Sequence, residues 1–166
     1  MPRKHLKPKF TRLNIGCGNV KKGGFMNIDI AKNVNPDKVV DIEKGLPFPD
    51  NTFEHIFSSH ALEEVRPEKW EFVLSEISRV ARNNCVLELS LNFDNMYQRT
   101  RMNHYRTFSW DSFFVCEEGQ ECSYTTPIIL RNLNKRPNVF VRLWFNLFPF
   151  LKGSIRFKFE IVKNKI

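Results

Sequence analysis

The feature that most constrains this chain is a short apolar run, Leu13-Asn14-Ile15, that stops at Gly16-Cys17-Gly18. Such a run reads as a buried strand ending in a tight turn. Glycine in that turn lets the backbone approach a ligand closely. Alone, the pattern fits any strand-to-loop turn, but two later segments restrict it. Phe25 to Ile30 alternates, carries Asp29 near its end and reads as a second strand; Lys38 to Ile42 reads as a third. Ligands of doubly wound sheets bind outside the carboxyl ends of the strands. A carboxylate at Asp29 can accept both hydroxyls of a ribose. Asp41 can accept from an adenine amino group while Ile42 covers the base. Each aspartate taken singly also fits a loop cap. Backbone, acid, and acid plus apolar side chain, in that order, point to a nucleoside.

Spacing separates this pattern from a dinucleotide site. A Rossmann dinucleotide fingerprint needs G-x-G-x-x-G, then a helix, then an acid about 20 residues on. Here Lys21 stands at the third glycine position, and Asp29 follows Gly16 by only 13 positions. A full helix has no room between the two strands, and a pyrophosphate needs that helix N-terminus. No G-x-x-x-x-G-K-[ST] run occurs either. A nucleoside ligand without phosphates loses much less. If Gly16 serves only that approach, valine there blocks the ligand and leaves folding alone. If Asp29 serves only the ribose, its loss weakens affinity and spares ligand-free stability; a loop cap gives the reverse.

The rest of the chain continues the alternation. Leu46 to Asn51 is a turn-rich loop, and Phe53 to Ser59 is a fourth strand. Pro67 to Arg82 is the clearest helix, with Trp70, Val73, Leu74, Ile77 and Val80 on one face and Asn83-Asn84 as its stop. Cys85 to Leu91 reads as a fifth strand. Ser109 suits a helix cap before Trp110 to Val115, and Ile155 to Val162 suits a final strand. The stretch from Cys122 to Gly153 favours neither state. A chain of 166 residues supports one core. The expected fold is α/β, a shortened Rossmann-like three-layer sandwich with a mostly parallel sheet ending in an antiparallel strand. Residues 1–10 read as a basic arm and 11–166 as one domain, with a cofactor-binding half at 11–92 and an acceptor-facing half at 93–166.

From Leu13 to Asn92 the sequence resembles the class I S-adenosylmethionine-dependent methyltransferases, in the compact type whose first helix is shortened to a loop. The matching pieces are Leu13 to Gly18, Gly24-Phe25-Met26-Asn27-Ile28-Asp29, Asp41 to Phe48, and Asp50 to Val65. The resemblance implies an S-adenosylmethionine cofactor. It implies Gly16, Cys17 and Gly18 at the methionine end, Asp29 at the ribose, Asp41 and Ile42 at the adenine, and Ser59 with His60 closing the site, with Asn14, Asn19 and Ile30 also among the expected cofactor-binding residues. Three positions depart from the family pattern. Its common Leu-Glu-His is Leu62-Glu63-Glu64 here, the fifth strand exits through Leu91-Asn92-Phe93 without a proline, and no Asn/Asp-Pro-Pro-Tyr run occurs.

Methyl transfer needs a protein base only when the acceptor must lose a proton. His60 is the first candidate and His104 the second. Glu63 and Glu64 are weaker ones, since acids there also suit a helix N-terminus. The acceptor is left open among small molecules, sugars, lipid-linked groups and nucleic acid, as is a cofactor-binding module without catalysis. The formal net charge is +8, with basic residues at both ends and acids between Asp29 and Glu76. That asymmetry suits an anionic partner or simply a solubilising surface. Phe140, Trp144, Phe145, Phe148 and Phe150 suit an acceptor pocket, a cover for the sheet or contact with a membrane surface. Cys17, Cys85, Cys116 and Cys122 contain no C-x-x-C pair, so neither a metal site nor a disulfide framework is expected. The apolar stretch Val139 to Leu151 is too short to span a bilayer, and no secretory leader is expected. A reducing, cytoplasmic setting is the default these features predict.

Overall fold

The computed structural model describes residues 10–92, 105, 108, 121–125, 128–133 and 154–163. Strands β1 (Arg12–Ile15), β2 (Met26–Asp29), β3 (Lys38–Val39), β4 (Phe53–Ser59) and β5 (Ala81–Asn92) pair in parallel in the order β3-β2-β1-β4-β5. The order reverses between β1 and β4, and that reversal opens a crevice at their carboxyl ends. Beyond β5 the sheet continues antiparallel through β8 (Ser154–Val162), β7 (Ile128–Asn132) and β6 (Glu121–Thr125). The expected single antiparallel strand is thus one of three. The hairpin β6–β7 lies in the stretch whose sequence favoured neither state.

The strand registers sort side chains into two unlike faces. Leu13 and Ile15 of β1 lie level with Ile56 and Ser58 of β4, and these with Leu87 and Leu89 of β5. Phe159 and Phe157 of β8 continue the row. All of these are buried. Helix α1 (Trp70–Val80) closes this face with Val73, Leu74, Ile77 and Val80. Full burial of such side chains stabilises the fold by roughly 1.5–3 kcal/mol each. The opposite face carries Arg12, Asn14, His55, Phe57, Glu88 and Lys158. Among the described residues, α-helical cover lies on the apolar face alone.

Tertiary pairing shortened two predicted elements. The helix expected over 67–82 begins as a 3-10 turn, Pro67–Lys69, and α1 ends at Val80. The Asn51 and Thr52 N–H groups take the Arg79 and Val80 carbonyls, while Ala81 already pairs with Phe53. Asn83-Asn84 is therefore a bulge inside β5, with Asn84 at φ 61°, where the register slips between Phe53 and His55. The third strand is only Lys38–Val39, because Asp41 caps a 3-10 turn, Ile42–Lys44, through the Glu43 N–H at 3.1 Å. The arm at 1–9, the helix expected at 110–115 and the aromatic segment around 140–150 lie outside the described residues.

Candidate active site

Residues 16–25 form turns and contain no helix, as the spacing requires. Their shape is held from below by a buried amide. Asn27 accepts from the Asn14 side chain at 2.9 Å and from the Lys22 N–H at 2.8 Å. Its own amide donates to the Lys22 and Phe25 carbonyls and to Asp37 at 2.8 Å. Asp37 also accepts the Asn27 N–H at 2.8 Å and sits 3.7 Å from Lys21. Burial alone would raise the Asp37 carboxyl. The Asn27 donors and the Lys21 ammonium outweigh it and hold the group below the usual carboxylate range. A hydrogen-bonded network thus stands in for the missing helix. The sequence reading assigned no role to Asn27, although an asparagine facing inward on a buried strand breaks the apolar pattern.

Asp29 closes the turn from the other side. One carboxylate oxygen accepts the Gly18 N–H at 2.8 Å and the other the Ala31 N–H at 2.9 Å. The loop-cap and ligand roles are therefore both open to it, since each carboxylate oxygen keeps a further lone pair. Gly16 has φ 66°, and a Cβ there would lie 2.2 Å from the Ala61 Cβ. The expectation that valine at Gly16 leaves folding alone is corrected: packing against Ala61 and a left-handed backbone both require glycine. Gly18, at φ 50°, faces open space.

These pieces line one cleft of about 800 Å³. All eleven residues expected around the cofactor border it: Asn14, Gly16, Cys17, Gly18 and Asn19 after β1, Asp29 and Ile30 after β2, Asp41 and Ile42 after β3, Ser59 and His60 after β4. Ile30 is 65% exposed, an apolar side chain at the rim with little covering it. Burial, and next the Asp29 carboxylate, push the Cys17 thiol up from its ordinary value. Val20, Lys22, Glu43, Phe57, Arg66 and Tyr105 also line the cleft and were not anticipated. The Lys22 ammonium stands 3.7 Å over the Phe57 ring, and Arg66 donates to Glu43 through its backbone N and Nε. Val20, Lys22, Glu43, Arg66 and Tyr105 reach the cleft from loops and turns, which leave no periodic trace in the sequence, and Phe57 reaches it from the polar face of β4.

His60 has φ 56°, and its N–H donates to the Ser90 carbonyl at 2.9 Å. Its ring is partly exposed, with Nδ1 3.5 Å from Glu63 Oε1. Glu63 is an acid in the first turn of a short helix, as its sequence position suggested, but it is not exposed. It lies in the 3-10 turn Leu62–Glu64 and is fully buried. The other expected base, His104, lies outside the described residues; its neighbour Tyr105 donates its N–H to the Glu63 carbonyl at 3.0 Å.

The cleft suits a phosphate-free nucleoside in its own geometry. It offers an acid at the second strand end, an exposed apolar rim at Ile30, a glycine turn open at Gly18, and no helix N-terminus between β1 and β2 for a pyrophosphate. Residues 25–89 match the family model described as Methyltransferase domain. Across 95% of its length the chain superposes on 87% of an S-adenosylmethionine-dependent methyltransferase from Archaeoglobus fulgidus, with TM-score 0.55 and 16% identity. A Haloferax volcanii complex between the Trm112 methyltransferase activator and a methyltransferase matches with TM-score 0.58 and 12% identity, covering 97% of this chain and 86% of that one. Phosphoethanolamine N-methyltransferase 1 of Haemonchus contortus, solved with phosphoethanolamine and S-adenosylhomocysteine, matches with TM-score 0.55 and 10% identity over 95% of this chain. The chain spans only 41% of that enzyme, and 38% of the cyclase SpnF. No curated protein matches the sequence. The 25–89 segment carries the pattern of a methyltransferase domain, and the fold is that of the methyltransferase structures it superposes on. The sequence match begins after Gly16-Cys17-Gly18, so the glycine turn rests on the fold and its own geometry.

Proposed function

We propose that the cleft binds S-adenosylmethionine and that the chain transfers the methyl group to a small-molecule, sugar or lipid-linked acceptor. The observation that carries this reading is convergence. Eleven residues, chosen from four separate strand ends, border one cleft. Asp29 would accept the ribose hydroxyls while still holding the Gly18 N–H. Asp41 would accept from the adenine amino group, with Ile30 and Ile42 against the base. The turn from Gly16 to Asn19 would face the methionine end. When bound, the cofactor supplies an electrophilic methyl group on a sulfonium; the protein's contribution is then orientation and exclusion of water. His60, on the β4 end of the cleft, would take the proton of an acceptor that has one to lose.

The test is calorimetry with S-adenosylhomocysteine on the purified chain. Saturable one-to-one binding in the micromolar range or tighter is the expected result. No heat and no rise in melting temperature at millimolar ligand would remove the reading.

A further inference from the structure

Glu63 is a fully buried carboxylate, and buried charges are costly unless they are paired. One oxygen, Oε1, accepts the Asn92 N–H at 2.5 Å and lies 3.5 Å from His60 Nδ1. The other, Oε2, has no hydrogen-bond partner among the described residues. Two elements fix this arrangement. The Glu63 carbonyl holds Tyr105 and its carboxylate holds the end of β5, while the His60 N–H is pinned to Ser90 on the same strand. His60 itself is held in the left-handed region, a conformation that costs a non-glycine residue about 1–3 kcal/mol and persists where the surroundings enforce it. The imidazole therefore spans from a dry carboxylate to the cleft it lines.

We infer that Glu63 is the positioning residue for His60, accepting from Nδ1–H and so presenting a bare Nε2 to the cleft as the proton acceptor. The inference rests on the methyl-transfer reading above and names how that site handles the proton. In a neutral imidazole one nitrogen donates and the other accepts, and the partner of one decides the role of the other. A carboxylate can only accept, so it selects the Nδ1–H tautomer. During transfer the new bond joins the acceptor atom to the methyl carbon. The carbon–sulfur bond breaks with its electron pair on sulfur, which becomes neutral. The acceptor's proton passes to His60 Nε2, and the resulting imidazolium faces the Glu63 carboxylate. The long separation of 3.5 Å accords with catalytic contacts that tighten only when ligands bind.

The test needs neither acceptor nor cofactor. The chain is labelled with ¹⁵N-histidine, and the ring-nitrogen shifts of its four histidines are read near pH 8.5, about two units above the usual histidine value. His60→Gln identifies the His60 signals. The expected result is an Nδ1–H tautomer for wild-type His60 and a switch to Nε2–H, the form free histidine prefers, in Glu63→Met. A carboxylate that merely tied down Asn92 would leave the tautomer unmoved. Wild-type His60 found as Nε2–H overturns the inference even if the variant fails to fold. So does an Nδ1–H His60 that ignores Glu63→Met. S-adenosylhomocysteine calorimetry on the same wild-type sample reports separately on the cofactor reading, so the two can fail independently.

Discussion

Both oxygens of Asp29 already hold backbone, one at Gly18 and one at Ala31. A side chain in this position cannot be tested for ligand binding without testing the turn. Hydrogen bonds to charged groups contribute roughly 1.5–3 kcal/mol, and partial exposure at the cleft reduces that. Asp29→Ala should therefore lower ligand-free stability by about 1 kcal/mol, read as a drop of roughly 2–4 °C in melting temperature. The same variant should weaken S-adenosylhomocysteine binding by roughly 10- to 150-fold, because it also removes the proposed ribose acceptor. Asp29→Asn keeps one accepting oxygen and should fall between wild type and alanine on both measures. A loss of stability with affinity unchanged would leave Asp29 a loop cap only. A loss of affinity with stability unchanged would mean that the Gly18 and Ala31 bonds contribute nothing.

The turn between β1 and β2 replaces a whole helix, and its stability comes from polar groups. Asn14, Asn27 and Asp37 tie three strands and the Lys22 loop together. Because the Asp37 carboxyl is held below the usual carboxylate range, the unfolded chain binds its proton more readily than the folded one does. Its contribution is complete above the unfolded value of about 3.9 and is lost as pH falls through the lower folded value. Asp37→Asn should cost about 1 kcal/mol at pH 7. Melting curves from pH 7 down to pH 2 should show the gap between wild type and variant closing only below about pH 4. A gap that stays constant across that range would mean the charge on Asp37 is not what supports the turn. The other large polar cluster, where Arg79 binds Glu76, Asp50 and the Leu46 and Phe48 carbonyls, braces the loop before β4 against α1. There the hydrogen bonds from the guanidinium to Glu76, and after them those to Asp50, outweigh burial and raise the Arg79 pKa above the usual arginine value.

At the scale of the whole molecule, the parallel strands aim their ends into one cleft while α1 and the apolar face form the core. Ligand choice then depends on what lies between β1 and β2. Turns there leave the cleft without helix N–H groups to receive a pyrophosphate. The chain should bind neither NAD nor NADP up to about 1 mM, and neither should displace S-adenosylhomocysteine in competition calorimetry. Saturable micromolar binding of either dinucleotide would show that the missing helix does not decide selectivity. Among the described residues no helix is long and apolar enough to cross a membrane.

Short-range patterning made the first half of the chain readable. Apolar runs bounded by glycine and aspartate located β1, β2 and β4, and each strand end carried its cleft-lining residue within one or two positions, because strand direction and turn chemistry are local. The 13-residue interval from Gly16 to Asp29 excluded a helix by length alone. Other outcomes depended on contacts distant in sequence. Ala81 left the helix because Phe53 pairs with it, and Glu63 was buried because the end of β5 closed over it. Gly16 became a packing requirement because Ala61 came to lie against it. None of these partners lies within a helical or strand period of the residue it acts on. Local propensity cannot register such pairings, and only the assembled sheet decides which backbone groups and which charges lose their water.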